Sequence, residues 1–391
     1  MVSYEWWSQT KQWGCEMPMN KVIGNNVVRL RSAQGVSQKS LAERARLSRL
    51  ALGRIERGEA LPRRSTLNGL ARALHVSVRE LVTPARSLQT VRFRAAKRIR
   101  ERDQILAQIS NWLDDYCFLE ETLEDQVAFQ LDRLVSEKPR DARTVAGEAR
   151  ALLELADQPI HDICGVLEKC GVRVLRFPRA TNSFFGLSIA KDDGGPAIVI
   201  NTWERISVER WIFSAAHELG HLLLHPMAYD SSKHDEPRAE EKEADTFASY
   251  FLMPEMSFKK EWADASGHSL YDRVMKVKRI FHVSYKTVLL RLIYDGEAEK
   301  SIFGVFQNQH RRRFGHTLKK EDEPQAMTES DFDERRADEP DRLSEADCLD
   351  DRLLRLVRTG LERSKITLSR GAEILRLSLA EMRQLASEWA A

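Results

Sequence analysis

At 391 residues the chain is long enough for two or three domains, and at 42% hydrophobic and 31% charged it has the composition of a soluble globular protein. It has no apolar run of bilayer-spanning length, and its five cysteines, odd in number and never spaced Cys-x-x-Cys, exclude a disulfide framework and a cysteine zinc site. The net charge of +2 hides a divide: residues 21–83 carry 13 Lys/Arg against 4 Asp/Glu, whereas residues 321–351 carry 3 against 14, the pattern of a nucleic-acid-binding head and an acidic linker.

Residues 1–20, with Trp6, Trp7 and Trp13 but no apolar core, are not a secretory signal. They read as a disordered leader, or as sequence upstream of a start at Met19. Together with the scattered cysteines this predicts a cytoplasmic protein with no membrane partner. Residues 21–84 read as five short helices, with Ser37, Ser48, Ser65 and Ser77 as N-caps and Ser77–Glu80 at capping-box spacing. Leu41, Ala42, Ala45, Leu47, Leu52 and Ile55 fall on the inner faces of two helices joined at Arg46–Leu47. Leu67, Leu70, Ala71, Leu74, Val76 and Leu81 complete a small core.

This stretch resembles the lambda-repressor/Cro-like (Xre) helix-turn-helix family. The resemblance implies that Ser48–Arg57 enters the major groove of a double-stranded DNA operator. Arg49, Leu50 and Arg54 would then face base edges, while Gln38 grips the backbone and Arg57, Arg63 and Arg64 neutralise phosphates. The competing reading is a solvated cationic face on a protein-binding module.

Residues 85–156, almost free of Gly and Pro, read as an α-helical connector: a helix to about Ser136, a break at Lys138–Pro139, and a helix to Ala156. Arg92, Arg94, Lys97, Arg98, Arg100 and Arg102 read as a solvated helix face, with an extra phosphate contact as the alternative.

Within residues 157–300 the pattern changes. Residues 172–177, 184–190 and 197–200 are short β-prone runs separated by turn residues. An apolar helix follows, with Ser207 as its N-cap and Pro226 just past its end, and another spans Ala239–Met253. The first of these carries His217-Glu218-Leu219-Gly220-His221. Residues four apart share a helical face, so His217 and His221 can present two imidazoles to one metal ion, while Glu218 can reach a water without ligating. A third ligand is required, and Glu240-Glu241-Lys242-Glu243-Ala244-Asp245 supplies carboxylates twenty residues on. Glu241 and Asp245 share a face, which makes Glu241 the preferred ligand and Asp245 the acceptor for a ligand histidine's N–H. Glu240 and Glu243 are the competing choices.

The run from Ser207 to His225, with Glu-x-Glu-Ala-Asp-x-Phe-Ala and Leu-Met-Pro after it, resembles the ImmA/IrrE metallopeptidases over about residues 160–300. The resemblance implies a gluzincin-like α+β fold, His217, His221 and Glu241 as ligands, Glu218 as catalytic base, and a helix-turn-helix repressor as protein substrate. The metal is expected to be Zn2+, with Mn2+ as the alternative. His225, beside Pro226, reads as balancing the helix dipole rather than binding metal. Tyr229, Tyr250 and His234 are candidate oxyanion donors with nothing to choose among them.

Residues 301–351 read as a tail and acidic linker. Residues 352–391 read as a helical interaction module, with Ser378–Glu381 as another capping box and too few cations on the last helix to read DNA; a homodimer through this element is one expected partner state. The expected fold class is therefore multidomain and mainly α with a small β-sheet: a five-helix Cro-like DNA-binding domain, an α-helical connector, a gluzincin-like α+β peptidase domain and a C-terminal helical module. The expected function is a zinc-dependent metallo-endopeptidase with a DNA-binding domain, either cleaving a repressor or regulating its own locus. The alternative is a DNA-binding transcriptional regulator whose peptidase-like domain is a sensor.

Overall fold

Five helices make up the basic head: α1 (Met19–Ala33), α2 (Gln38–Arg44), α3 (Arg49–Glu56), α4 (Arg64–Ala73) and α5 (Val78–Val82). The computed structural model describes residues 18–74, 76, 78–82, 88, 90–95, 102–181, 184–229, 237–319, 322–324 and 343–390. The leader up to Met17, Ser77 and His234 lie outside these. Ser37 and Ser48 cap α2 and α3 by accepting the amides of Ser40 and Ala51, each at 3.1 Å. Ser65 does not cap, because α4 starts one residue earlier, at Arg64, and places Ser65 in the first turn. Arg46 takes the left-handed turn conformation (φ 56°) that swings α3 across α2. Ile23, Val27, Leu41, Leu52, Ile55, Leu70, Leu74 and Leu81 close one small core. Gly24 lets α1 lie directly on the end of α3: a Cβ there would meet the Ile55 carbonyl oxygen at 2.6 Å.

The chain divides into two compact units, residues up to 87 with 100–112, and residues 88–99 with 113–391. The second contains a four-stranded sheet in the order β1-β3-β4-β2, formed by β1 (Val91–Ala95), β2 (Arg173–Arg176), β3 (Phe184–Ile189) and β4 (Ala197–Ile200). β2 and β4 are parallel, while β3 runs antiparallel to both β1 and β4.

Strand β1 corrects the all-helical reading of 85–156. Val91-Arg92-Phe93-Arg94 alternates with period two, and a free sheet edge was available to receive it. The helix that follows, α6 (Arg102–Leu123), also stops well short of Ser136, at a left-handed Glu124 (φ 55°). Next come α7 (Ala142–Leu152) and α8 (Ile163–Lys169).

Helix α9 (Val208–Leu224) packs on β3 and β4, and α10 (Arg238–Leu252) packs on α9. Gly220 sets their separation, since a Cβ there would lie 3.0 Å from the Phe247 ring. Helices α11 (Glu255–Asp264), α12 (Leu270–Phe281), α13 (Tyr285–Tyr294) and α14 (Ile302–Phe314) complete this part of the core.

The described parts of the acidic stretch are packed rather than loose. The half-buried Glu323 carboxylate accepts the Tyr285 amide at 2.8 Å and meets the buried Lys278 Nζ at 3.1 Å. Cys348 is buried with its Sγ 3.5 Å from Cys164 Sγ. Composition counted charges, but a few of these side chains find buried partners. The C-terminal helices α15 (Arg352–Glu362), α16 (Leu368–Leu375) and α17 (Leu379–Ala390) pack within this unit. Arg352 pairs with Glu120, and Arg370 with Asp115. Ser378 and Glu381 cap α17 reciprocally, at 2.7 and 3.2 Å.

Glu168 accepts the Arg352 amide at 3.0 Å, and burial pushes its carboxyl up to about 8 from 4.5. The folded state therefore holds this proton more tightly than the unfolded chain, and stability falls as pH rises from about 4.5 to about 8. Glu168→Gln is expected to be more stable than the parent at pH 8, by on the order of 4 kcal/mol, with the gain vanishing near pH 4.5. Melting temperatures of both proteins across that range check it.

Candidate metal centre

The two imidazoles arise from one turn of α9. His217 and His221 stand on the face turned to α10, both buried, with their Nε2 atoms 2.9 Å apart. Helix α10 brings Glu241 to them: Oε1 lies 3.2 Å from His221 Nε2, and Oε2 lies 3.7 Å from His217 Nε2. Glu240 and Glu243 turn elsewhere, to Arg92 and to His225. Among the described residues, His217, His221 and Glu241 form the cluster with metal-ligand spacing.

Hydrogen bonds behind the cluster fix the tautomers. The Asp245 carboxylate, 2.8 Å from His217 Nδ1, can only accept, so that nitrogen carries a proton and Nε2 is the ring position turned to the cluster. The same logic runs through a second relay. His225 Nε2 donates to Glu243 Oε2 at 2.9 Å, leaving His225 Nδ1 as acceptor for His221 Nδ1–H, also at 2.9 Å. Burial pushes His221 well below the usual histidine range, against the Glu241 carboxylate, and lowers His225 as well, which keeps both rings neutral. Two imidazole nitrogens and a carboxylate thus face one another in a buried space, and a divalent cation at their centre satisfies all three. The donor set fits zinc. His225, read from sequence as a dipole partner, is instead the orienting link for His221. His225→Ala is expected to weaken metal binding about 10–100-fold. Competition against a chromophoric chelator measures this, and an unchanged affinity would remove the relay from the account.

Glu218 projects from α9 to the sheet. Its carboxylate lies over Gly186, where a Cβ would come within 3.1 Å of it. It accepts the Ser188 hydroxyl at 2.7 Å, and Ser188 in turn accepts Tyr229 OH at 2.9 Å. Tyr229 therefore braces this buried chain. Tyr250, the other tyrosine candidate, is tied to Asp295 instead. Beside His217 and Asp245 opens a cavity of about 210 Å3, with Phe185, Phe213, Leu290 and Tyr294 in its lining.

Arg92 departs furthest from expectation. Sequence placed it on a solvated helix, yet its side chain is 3% exposed and its guanidinium pairs with Glu240 and reaches Glu241 Oε1 at 3.3 Å. Its signal was the alternation of Val91 to Arg94, too short to stand out from the basic run around it. Ser188 carried no signal at all.

In the head, the α3 surface exposes Arg49, Leu50 and Arg54, with Leu50 73% exposed despite its apolarity. Arg57, Arg63 and Arg64 are exposed too, although Arg57 pairs with Glu59 at 2.6 Å. Gln38 is half-buried, bonded to Glu56 at 2.8 Å and to Arg49 at 3.3 Å, which ties α2 to α3.

Comparison with known proteins agrees with both parts. Residues 23–83 match a helix-turn-helix domain family, and residues 167–292 match the IrrE N-terminal-like domain, a peptidase family. The head is similar to the uncharacterized HTH-type transcriptional regulator y4dJ of Sinorhizobium fredii, 44% identical over 68 residues, which are 17% of this chain and 88% of that protein. It is also similar to control protein C.SmaI of Serratia marcescens, 39% identical over 69 residues, 18% of this chain and 82% of that one. Among solved structures, the restriction-modification controller protein C.AhdI from Aeromonas hydrophila is 35% identical, with 16% of this chain and 94% of that chain covered and a TM-score of 0.16. No helix of the described residues is long and apolar enough to cross a membrane.

Proposed function

From the premise that this chain belongs to the ImmA/IrrE family of peptidases fused to an Xre-type helix-turn-helix domain, we propose that it is a cytoplasmic zinc-dependent endopeptidase that cuts a helix-turn-helix repressor. The observation that carries this reading is the convergence of His217, His221 and Glu241, with Glu218 following His217 on the same helix. When bound, zinc supplies Lewis acidity, polarising a peptide carbonyl and acidifying water at the site. His217 and His221 hold their Nε2 atoms inward, oriented by Asp245 and by the His225–Glu243 relay. Glu218 takes the proton of the attacking water and returns it to the leaving amine as the C–N bond breaks. The Ser188 hydroxyl holds that carboxylate in place.

The test is incubation of the purified protein and zinc with the repressor encoded beside it, followed by mass spectrometry of fragments. Discrete fragments that vanish with a chelator support the reading; an intact repressor in both arms defeats it. A second reading, a transcriptional regulator whose peptidase-like domain is a sensor, is favoured by one observation: the Arg92 guanidinium already engages Glu241.

For the head, α3 in the major groove places Arg49, Leu50 and Arg54 at base edges and leaves Arg57, Arg63 and Arg64 for phosphates; two heads in a homodimer would read paired half-sites. Arg49→Ala is expected to cost about 1–3 kcal/mol on the selected operator while changing non-specific binding little. Anisotropy titrations on specific and random duplexes check it.

A further inference from the structure

We propose that β1 is a resident strap lying where an extended substrate peptide adds to this centre, latched by Arg92 on Glu241. What the strap excludes is identified by the endopeptidase reading above; its placement is not.

Strand β3 carries the residues beneath Glu218, namely Gly186 and Ser188. One edge of β3 is paired with β4. The other is a row of backbone donors and acceptors, the template on which an extended peptide adds as a further strand. Here β1 fills it, with Val91 opposite Ile189, Arg92 opposite Ser188 and Phe93 opposite Leu187. The Ala190 amide donates to the Thr90 carbonyl at 3.0 Å, so antiparallel alternation makes Arg92–Ser188 the next hydrogen-bonded pair. Directly paired residues share a face, and the face of Ser188 is that of Glu218. Arg92 is thereby aimed at the centre and spans Glu240 and Glu241.

The strap is built to hold at one end and yield at the other. At its start the Thr90 amide donates to Asp193 Oδ2 at 2.6 Å, and Val91 is buried. Beyond Phe93 the register shifts before Ala95, a bulge that interrupts the ladder. What secures the middle is the ion pair. A cation on a ligand carboxylate also opposes entry of a divalent ion, so the latch guards the metal and the peptide edge together.

The test uses the full-length chain, with Arg92→Ala and, to loosen the strand independently, Asp193→Ala, which removes the acceptor of the Thr90 amide. In metal-free protein, amide hydrogen exchange at Ser188 and Ala190 is expected to quicken about tenfold or more in both variants, since a charged hydrogen-bonded pair or the tether at the start of the strap has been lost. With zinc, cleavage of α-casein, an unfolded protein, is expected to rise about tenfold in Arg92→Ala. Unchanged exchange in both variants overturns the strap, whatever the cleavage rate. Quicker exchange with zinc retained but casein cleavage lost in Arg92→Ala also overturns it, because Arg92 then serves the reaction. If no form cuts casein while exchange quickens, the strap on β3 is upheld, and the endopeptidase reading falls only where the repressor also stays intact.

Discussion

Glu218→Gln is expected to lower peptide hydrolysis by about 10²–10⁴-fold while leaving metal binding intact. The amide is the same size, and its oxygen can still accept the Ser188 hydroxyl at the position that Glu218 Oε2 occupies, 2.7 Å away. The buried chain from Tyr229 is therefore kept, and so is the packing over Gly186. What disappears is the capacity to take a proton, and general-base assistance carries that range of rate. None of the three converging groups is altered, so bound zinc per chain should match the parent. Zinc content by mass spectrometry and fragment formation over time read the two quantities separately. A variant that still cuts at the parental rate would sink the assignment of Glu218 as base. A variant that loses its metal would show instead that this carboxylate organises the cluster.

Arg150→Met is expected to destabilise the second unit by about 3–5 kcal/mol, the cost of orphaning partners of a buried charge. Arg150 sits on α7 and is buried, and its guanidinium donates to main-chain carbonyls alone: Phe251 at 2.6 Å, Ala156 at 2.8 and 3.0 Å, and also Leu155 and Gln158. These carbonyls belong to the end of α10 and to a turn in which Glu154 and Ala156 both take left-handed backbone (φ 55° and 44°). Burial lowers this guanidinium to about 10, still charged at neutral pH. Methionine fills the volume but offers no donor, so the buried Phe251 carbonyl and three part-buried ones lose their partner at once. The melting transition of this unit should fall by roughly 10 °C, given about 2–4 °C per kcal/mol for domains of this size. A shift of a degree or less would mean that water replaces the guanidinium. Because α10 carries Glu241, metal affinity should weaken in the same variant.

The parts of this protein that were legible early share a physical origin: they are local. Ser37 and Ser48 cap helices within three residues of themselves, and the pentapeptide His217–His221 places both imidazoles by helical period alone. The three β-prone runs after residue 171 stood out because each is short, rich in β-branched or aromatic residues and bounded by turn residues. Apart from one helix boundary, what was not legible depends on what lies across from a segment. That boundary is Ser65, where the N-cap falls two residues earlier, at Arg63. Val91–Ala95 was hidden in a basic run and became a strand only because β3 offered an open edge. Glu323 and Cys348 sit in a stretch whose average charge argued for disorder, yet each meets a buried partner.

By itself, then, the amino-acid order determined that a basic helical head precedes a helix bearing two histidines on one face, since helical period and capping depend on neighbours a few residues apart. Only the folded chain decided that Glu241, and not Glu240 or Glu243, meets them, that His225 is a link to Glu243, and that Arg92 lies against a ligand from well over a hundred residues away. Those choices depend on how α9, α10 and β1 pack, and close packing brings together side chains whose spacing along the chain carries no period to read.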